Sequence, residues 1–203
     1  MKLYTSTRAP NPRRVDIFLA EKGIQVPKVE VNLNNLEQKQ PDFIARNPAM
    51  RVPVLELDDG TCISESIAIC RYFEEIQPDP PLFGVDTLDR ALVEMWQRRI
   101  ELNLMLPVAM VFRHLHPGAA VLEQPQVAEW GEANRPRVIE AIEMLDRQLA
   151  DRPFITGDRY TVADISALVG IDFMRPSKFG VPESCANVLR WHSEVSARPS
   201  AKA

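Results

Sequence analysis

Arg51-Val52-Pro53-Val54-Leu55 and Cys62-Ile63-Ser64-Glu65-Ser66-Ile67 decide the reading of this chain. Residues 52–57 form a short apolar run rich in β-branched side chains, the signature of a strand. Pro53 cannot donate to a sheet ladder, so the strand begins or bulges there. A folded site can hold the Val52–Pro53 bond cis at modest cost. That leaves the Val52 N–H and C=O facing outward, free to pair with an extended peptide. Asp58-Asp59-Gly60 is a turn signal, and residues 61–63 return as a second strand. Glu65-Ser66 then opens a helix, whose unpaired N–H groups and partial positive charge suit a carboxylate. The Ser66 hydroxyl adds a donor, and the Glu65 carboxylate can hold an ammonium.

Working outward, the first third alternates element types. Residues 2–4 read as a short strand. From Asn11 to Gly23 the chain carries helix punctuation: Asn11 as N-cap, Pro12 at the first helical position, and Gly23 just past Lys22. Val15, Phe18 and Leu19 form its apolar stripe. Residues 26–33 alternate as a second strand, and residues 41–48 read as a short helix stopped by Asn47-Pro48. After the 52–63 hairpin a helix runs from Ser66 to about Ile76. This order predicts an α/β layer with parallel and antiparallel parts.

Gln77-Pro78-Asp79-Pro80-Pro81 cannot be helical and marks a linker. Beyond it the pattern is helical: one long helix over residues 87–115 with a kink at Pro107, a second over 124–151, a third starting at Thr161, and a fourth over 184–195. The two long helices suit an antiparallel bundle. The expected organisation is residues 1–77, a linker at 78–86, and an all-α domain at 87–203.

Composition excludes several classes of function. The net charge of −4 gives no nucleic-acid footprint. No apolar run follows Met1, and no stretch reaches the length of a membrane span. Cys62, Cys70 and Cys185 form no CxxC and no metal-ligand spacing, which fits reduced thiols in the cytoplasm. No metal is expected.

Peptide backbone, carboxylate and ammonium together describe a γ-glutamyl tripeptide. With these residues in view, the chain resembles a cytosolic glutathione transferase over nearly its whole length. The resemblance implies a thioredoxin-like domain, then a C-terminal α-helical bundle, with glutathione as substrate and no separate cofactor. Thr161-x-x-Asp164 resembles the family's helical capping box, and Trp191…Arg198-Pro199-Ser200 its C-terminal pattern. Both are structural. The family's thiol-activating group lies in the turn Ser6-Thr7-Arg8-Ala9-Pro10-Asn11. Where serine- and cysteine-type members of the family carry their catalytic Ser or Cys, this turn has Ala9-Pro10. Ala9-Pro10-Asn11-Pro12 is instead similar to the Thr-Pro-Asn of the bacterial nu class, with Ala for Thr. Asn11 is thus the candidate donor to the thiolate, with Ser6 and Thr7 behind it, and the same Asn11 serves as helix cap. Tyr4 reads as core.

For glutathione itself the candidates are Gln38, Lys39 and Arg51 toward the glycine end, Val52 and Pro53 along the peptide, and Glu65 and Ser66 at the γ-glutamyl end. Met105, Met110 and Phe112, with Met174, are candidates for a hydrophobic co-substrate pocket, although bundle core is the better account of any one of them taken alone. His114 and His116 have no ligand partners at useful spacing and read as surface or packing residues. Cys62 and Cys70 read as buried thiols. The expected activity is attack of the bound thiolate on a small electrophile in the cleft between the domains. The alternatives are glutathione-dependent disulfide reduction, or a non-catalytic binding or regulatory role on the same fold. The resemblance also implies a homodimer.

Overall fold

The residues Lys2, Leu3, Tyr4 and Thr5 send side chains to alternate faces, and the strand they make, β1 (Lys2–Thr5), lies inside the first sheet. The structure is a computed structural model describing residues 1–203. It separates into two compact units, Met1–Pro81 with Lys202–Ala203, and Leu82–Ala201. The expected linker is therefore divided, with Pro81 in the first unit and Leu82 in the second.

In the first unit β1 is followed by α1 (Pro10–Lys22), β2 (Lys28–Glu30), a one-turn α2 (Pro41–Ile44), β3 (Val54–Glu56), β4 (Cys62–Ser64) and α3 (Ser66–Ile76). The sheet order is β2-β1-β3-β4, with β1 parallel to β2 and antiparallel to β3. This is the thioredoxin-like α/β layer the sequence implies. α1 starts earlier than Asn11. Ala9 is the boundary residue, extended at φ −102° and ψ 138°, and Pro10 is the first helical residue. A proline pushes the residue before it toward extended geometry and fits the first helical position. Pro10 thus sets the start, and Asn11 falls inside the first turn without capping it. Gly23 ends α1 at φ 65°, a left-handed closure that suits glycine.

β2 is shorter than expected. Pro27 cannot extend the ladder, and the Asn32 side chain turns the chain by accepting the N–H groups of Asn34 and Asn35. β3 likewise begins only after Pro53, which follows a cis peptide bond. Between Asn47 and β3, Met50 takes a left-handed backbone at φ 54°. One buried ion pair fastens the layer: the Lys22 ammonium, closed off from solvent, meets Glu74 of α3 and donates to the Gln77 carbonyl at 2.7 Å.

The second unit holds α4 (Thr87–Ile100), α5 (Leu106–Leu115), α6 (Ala128–Gln148), α7 (Val162–Asp172) and α8 (Ala186–Ser196). α4 and α5 are one helical run, as expected for 87–115, but the irregularity precedes Pro107. Residues Glu101–Met105 form a wider π turn in which the Leu106 N–H reaches back to the Glu101 carbonyl. The extra residue takes up the disturbance caused by a proline that has no N–H to donate. α6 is shorter than 124–151, because the segment before it is held as a loop. In that loop His114 Nδ1 accepts the Val127 N–H, and His116 Nδ1 accepts the Gly118 N–H, both at 3.0 Å. α7 is buried along nearly its whole length. Its capping box is complete, with the Asp164 carboxylate accepting from the Thr161 N–H (3.0 Å) and hydroxyl (3.2 Å), the Ile155 N–H (3.0 Å) and the Trp191 indole (2.9 Å).

Candidate functional site

Sheet register gathers the site. Thr5 pairs with Glu30, Tyr4 with Val54, and Val54 with Ser64. Continuing each strand past these pairs brings the Ser6–Asn11 turn, the end of β2, Val52-Pro53 and Glu65-Ser66 to one end of the sheet. This is the carboxyl end of the parallel pair, where open α/β sheets place ligands.

At the turn, Glu30 accepts from the Ser6 hydroxyl (3.2 Å) and the Thr7 N–H (3.1 Å), and the Ala9 N–H donates to the Ser6 carbonyl. The Ser6 hydroxyl is therefore committed, and Ser6 itself is buried. α1 opens without a side-chain cap. Prolines at positions 10 and 12 remove two of the backbone donors that its first turn would leave unpaired, and Asn11, between them, keeps its own. Asn11 is exposed, and its Oδ1 accepts from Arg14 Nη2 at 3.0 Å. A guanidinium only donates, so this contact fixes Oδ1 toward Arg14 and turns Nδ2, a donor, away from it.

Across the turn, the buried Asn47 holds the approach to Val52. Its Nδ2 donates to the Arg51 carbonyl at 2.8 Å, and its Oδ1 accepts from the Ala49 N–H at 3.1 Å. Val52 and Pro53 are buried, whereas Arg51 is exposed. Glu65 then takes φ 69° and ψ 116°, an uncommon backbone for a residue with a Cβ. Such outliers cluster at ligand clamps. α3 has no side-chain cap either, and Ser66 is its first residue. Gln38 is only 2% exposed, with Oε1 buried and unpartnered, while Lys39 is exposed. A half-turn of the Gln38 amide would present Nε2 instead, the end suited to a carboxylate.

Tyr4 lies apart from this chemistry. Its ring is buried edge-on against Phe43, and its hydroxyl donates to Glu56 at 2.9 Å. Arg46, Tyr4 and Lys2 all bond Glu56 and hold its carboxyl down at about 2. Cys62 is only half-buried, contrary to its sequence reading; burial and the charge of Glu56 push its thiol up.

The three co-substrate candidates do not share one pocket. Met110 lines a groove of about 620 Å³ with Leu102, Leu106, Trp130 and Met144, between α5 and α6. Met105 lies against Gly170 of α7, and Phe112 packs on Phe173 and His116, both at 4.9 Å. Seven residues apart, Met105 and Phe112 share a helix face, which Met110 does not. Met174 is buried. Glu30, Asn47 and Arg14 were not singled out from sequence. Glu30 acts across more than twenty residues of chain with no local pattern, and Asn47-Pro48 reads first as a helix stop.

Two family models match the chain: the glutathione S-transferase N-terminal domain over residues 1–75 and the C-terminal domain over residues 108–199. Glutathione S-transferase 2 of Saccharomyces cerevisiae is 38% identical over 205 residues, spanning 100% of this chain and 88% of the relative. The crystal structure of Gtt2 from the same organism superposes with a TM-score of 0.95, covering 100% of this chain and 99% of that one at 38% identity. A glutathione S-transferase domain-containing protein from Marinobacter aquaeolei VT8 also superposes at 0.95, covering 98% of this chain and 99% of that one at 39% identity. With matches to both of its domain models and similarity along its full length, the chain belongs to the glutathione S-transferase family.

Proposed function

We infer that the protein is a glutathione transferase that binds glutathione and uses its thiolate to attack a small electrophile. The observation that carries the reading is the uncapped start of α3, with Ser66 at its first position and Glu65 held at positive φ beside it. The N–H groups there and the Ser66 hydroxyl receive the γ-glutamyl carboxylate, and the exposed Glu65 faces the ammonium. The Val52 backbone pairs with the peptide, and Gln38, Lys39 and Arg51 serve the glycine end. In the reaction, the thiol proton leaves to solvent, and the sulfur donates its electron pair to form a bond to the electrophilic carbon, while the bond from that carbon to the leaving group breaks and the leaving group departs with its electron pair. Glutathione is consumed as substrate, and no cofactor takes part.

Ser66→Ala tests the assignment. A bond from the hydroxyl to a carboxylate contributes about 1.5–3 kcal/mol, a rise of roughly tenfold to hundredfold in the glutathione Kd. Calorimetric titration of a folded variant that binds as tightly as the parent removes the assignment.

We further propose a homodimer. Leu88, Leu92, Leu102, Leu106 and Trp130 are exposed large apolar side chains of the α4 to α6 region, the kind of surface that marks an interaction site. A light-scattering mass near the 23.0 kDa of one chain overturns this. The three free cysteines support a cytoplasmic setting.

A further inference from the structure

We propose that Glu30 is a positioning residue for thiol activation: it ties the β1–α1 turn to the end of β2 and so aims the first turn of α1 at the glutathione sulfur. Two donors from the turn, the Ser6 hydroxyl and the Thr7 N–H, converge on one oxygen, Glu30 Oε1. A backbone bond from the Val31 N–H to the Thr5 carbonyl at 2.8 Å sets the same two segments in register. The next residues, Arg8 and Ala9, lead directly into α1, which carries no side-chain cap. A helix start acts on an anion only within its first turn, so the angle at which this turn delivers α1 decides how much of its field reaches the sulfur. The Glu30 carboxylate also adds a negative charge, which works against a nearby thiolate. The carboxamide of glutamine accepts the same bonds without that charge, so tether and charge are separable. The proposal rests on the reading that this turn faces the glutathione thiol.

The experiment is a titration of bound glutathione by thiolate absorbance against pH, with kcat/KM measured from pH 6 to 9, for the parent, Glu30→Ala and Glu30→Gln. Glu30→Ala is expected to raise the thiol pKa and lower kcat/KM near pH 6.5 by about twofold to fivefold, the range that misaligning a helix start removes. The loss should vanish at a pH where the thiol is ionised in both proteins. Glu30→Gln should restore the parent titration or carry it lower. A purely structural role would instead depress activity equally at every pH. That result, or a Glu30→Ala titration that coincides with the parent, overturns the proposal. A parent enzyme that binds glutathione without lowering its thiol pKa removes the underlying reading, and the proposal with it, whatever the variants do.

Discussion

Replacing Trp191 by Phe takes one donor from the most deeply buried carboxylate of the helical unit. Asp164 accepts four hydrogen bonds, and the indole gives the shortest, at 2.9 Å. A bond to a charged group contributes about 1.5–3 kcal/mol, and the smaller ring leaves a void costing about 1 kcal/mol more. The expected loss at pH 7 is therefore about 2.5–4 kcal/mol. For a chain of this size that is roughly 5–16 °C in Tm.

Its pH dependence is the sharper test. Burial pushes the Asp164 carboxyl up from 3.8 to about 6, against the pull of its donors. A raised carboxyl pKa means that the fold favours the protonated form. Its stabilising contribution is complete below 3.8 and is lost as pH rises through 6, amounting to about 3 kcal/mol over the two units. Removing the indole removes a donor to the ionised form and moves the pKa higher still. Trp191→Phe should therefore cost most near pH 8 and clearly less near pH 5, where Asp164 is protonated in both proteins. Calorimetric melts of parent and variant at the two pH values read this directly. A difference that is equal at both, or below about 1 kcal/mol at pH 8, would refute the claim that the indole serves an ionised Asp164.

Glu56→Gln should flatten the acid limb of stability. The Glu56 carboxyl is held down at about 2, so its contribution is present above 4.5 and is lost as pH falls toward 2; far-UV circular dichroism from pH 5 to 2 checks this. Lys22→Met keeps the apolar stem but breaks the buried pair with Glu74, at an expected cost of about 3–5 kcal/mol by urea unfolding. Asn11→Ala should raise the pKa of bound glutathione by roughly one to two units. Because Asn11 does not cap α1, it should change stability by less than about 0.5 kcal/mol; thiolate absorbance and a thermal melt separate the two effects.

Local rules made much of this fold legible. Ser66–Ile76 begins and ends where the sequence places it, because the Glu65-Ser66 step opens it and Gln77-Pro78 closes it. Gly23 and the Thr161–Asp164 box fall where cap chemistry requires. The misses come from competition between local signals or from distance. Two prolines bid for the start of α1, and the earlier one prevails. Residues 26–33 alternate well enough for a strand, yet Pro27 and the Asn32 turn confine the ladder to three residues. Glu30 joins a turn far away in the chain, and its partner is set by parallel register that no local pattern encodes. Met105, Met110 and Phe112 are alike in chemistry, and only helix phase sends Met110 elsewhere.

The corrected start of α1 changes the account of the thiol. Lowering a thiol from about 8.5 by two units takes about 2.7 kcal/mol. With Asn11 as a cap and Pro12 after it, its side chain would be spent on the helix, and three backbone donors, those of Asn11, Arg13 and Arg14, would face the sulfur. The structure reverses both terms: the side chain caps nothing, and prolines at positions 10 and 12 delete two backbone donors. A helix start alone gives about 0.3–1 kcal/mol, which falls short. Adding one charge-assisted bond of about 1.5–3 kcal/mol brings the sum to roughly 1.8–4 kcal/mol, which spans the requirement. The Ser6 hydroxyl and Thr7 N–H are held by Glu30, and Arg14 holds Oδ1 of Asn11. Within this turn, that leaves the Thr7 hydroxyl, the Asn11 backbone N–H and Asn11 Nδ2 as donors to supply the missing bond. Only Nδ2 disappears in Asn11→Ala, so the size of the thiol pKa shift in that variant divides the work between it and the other two.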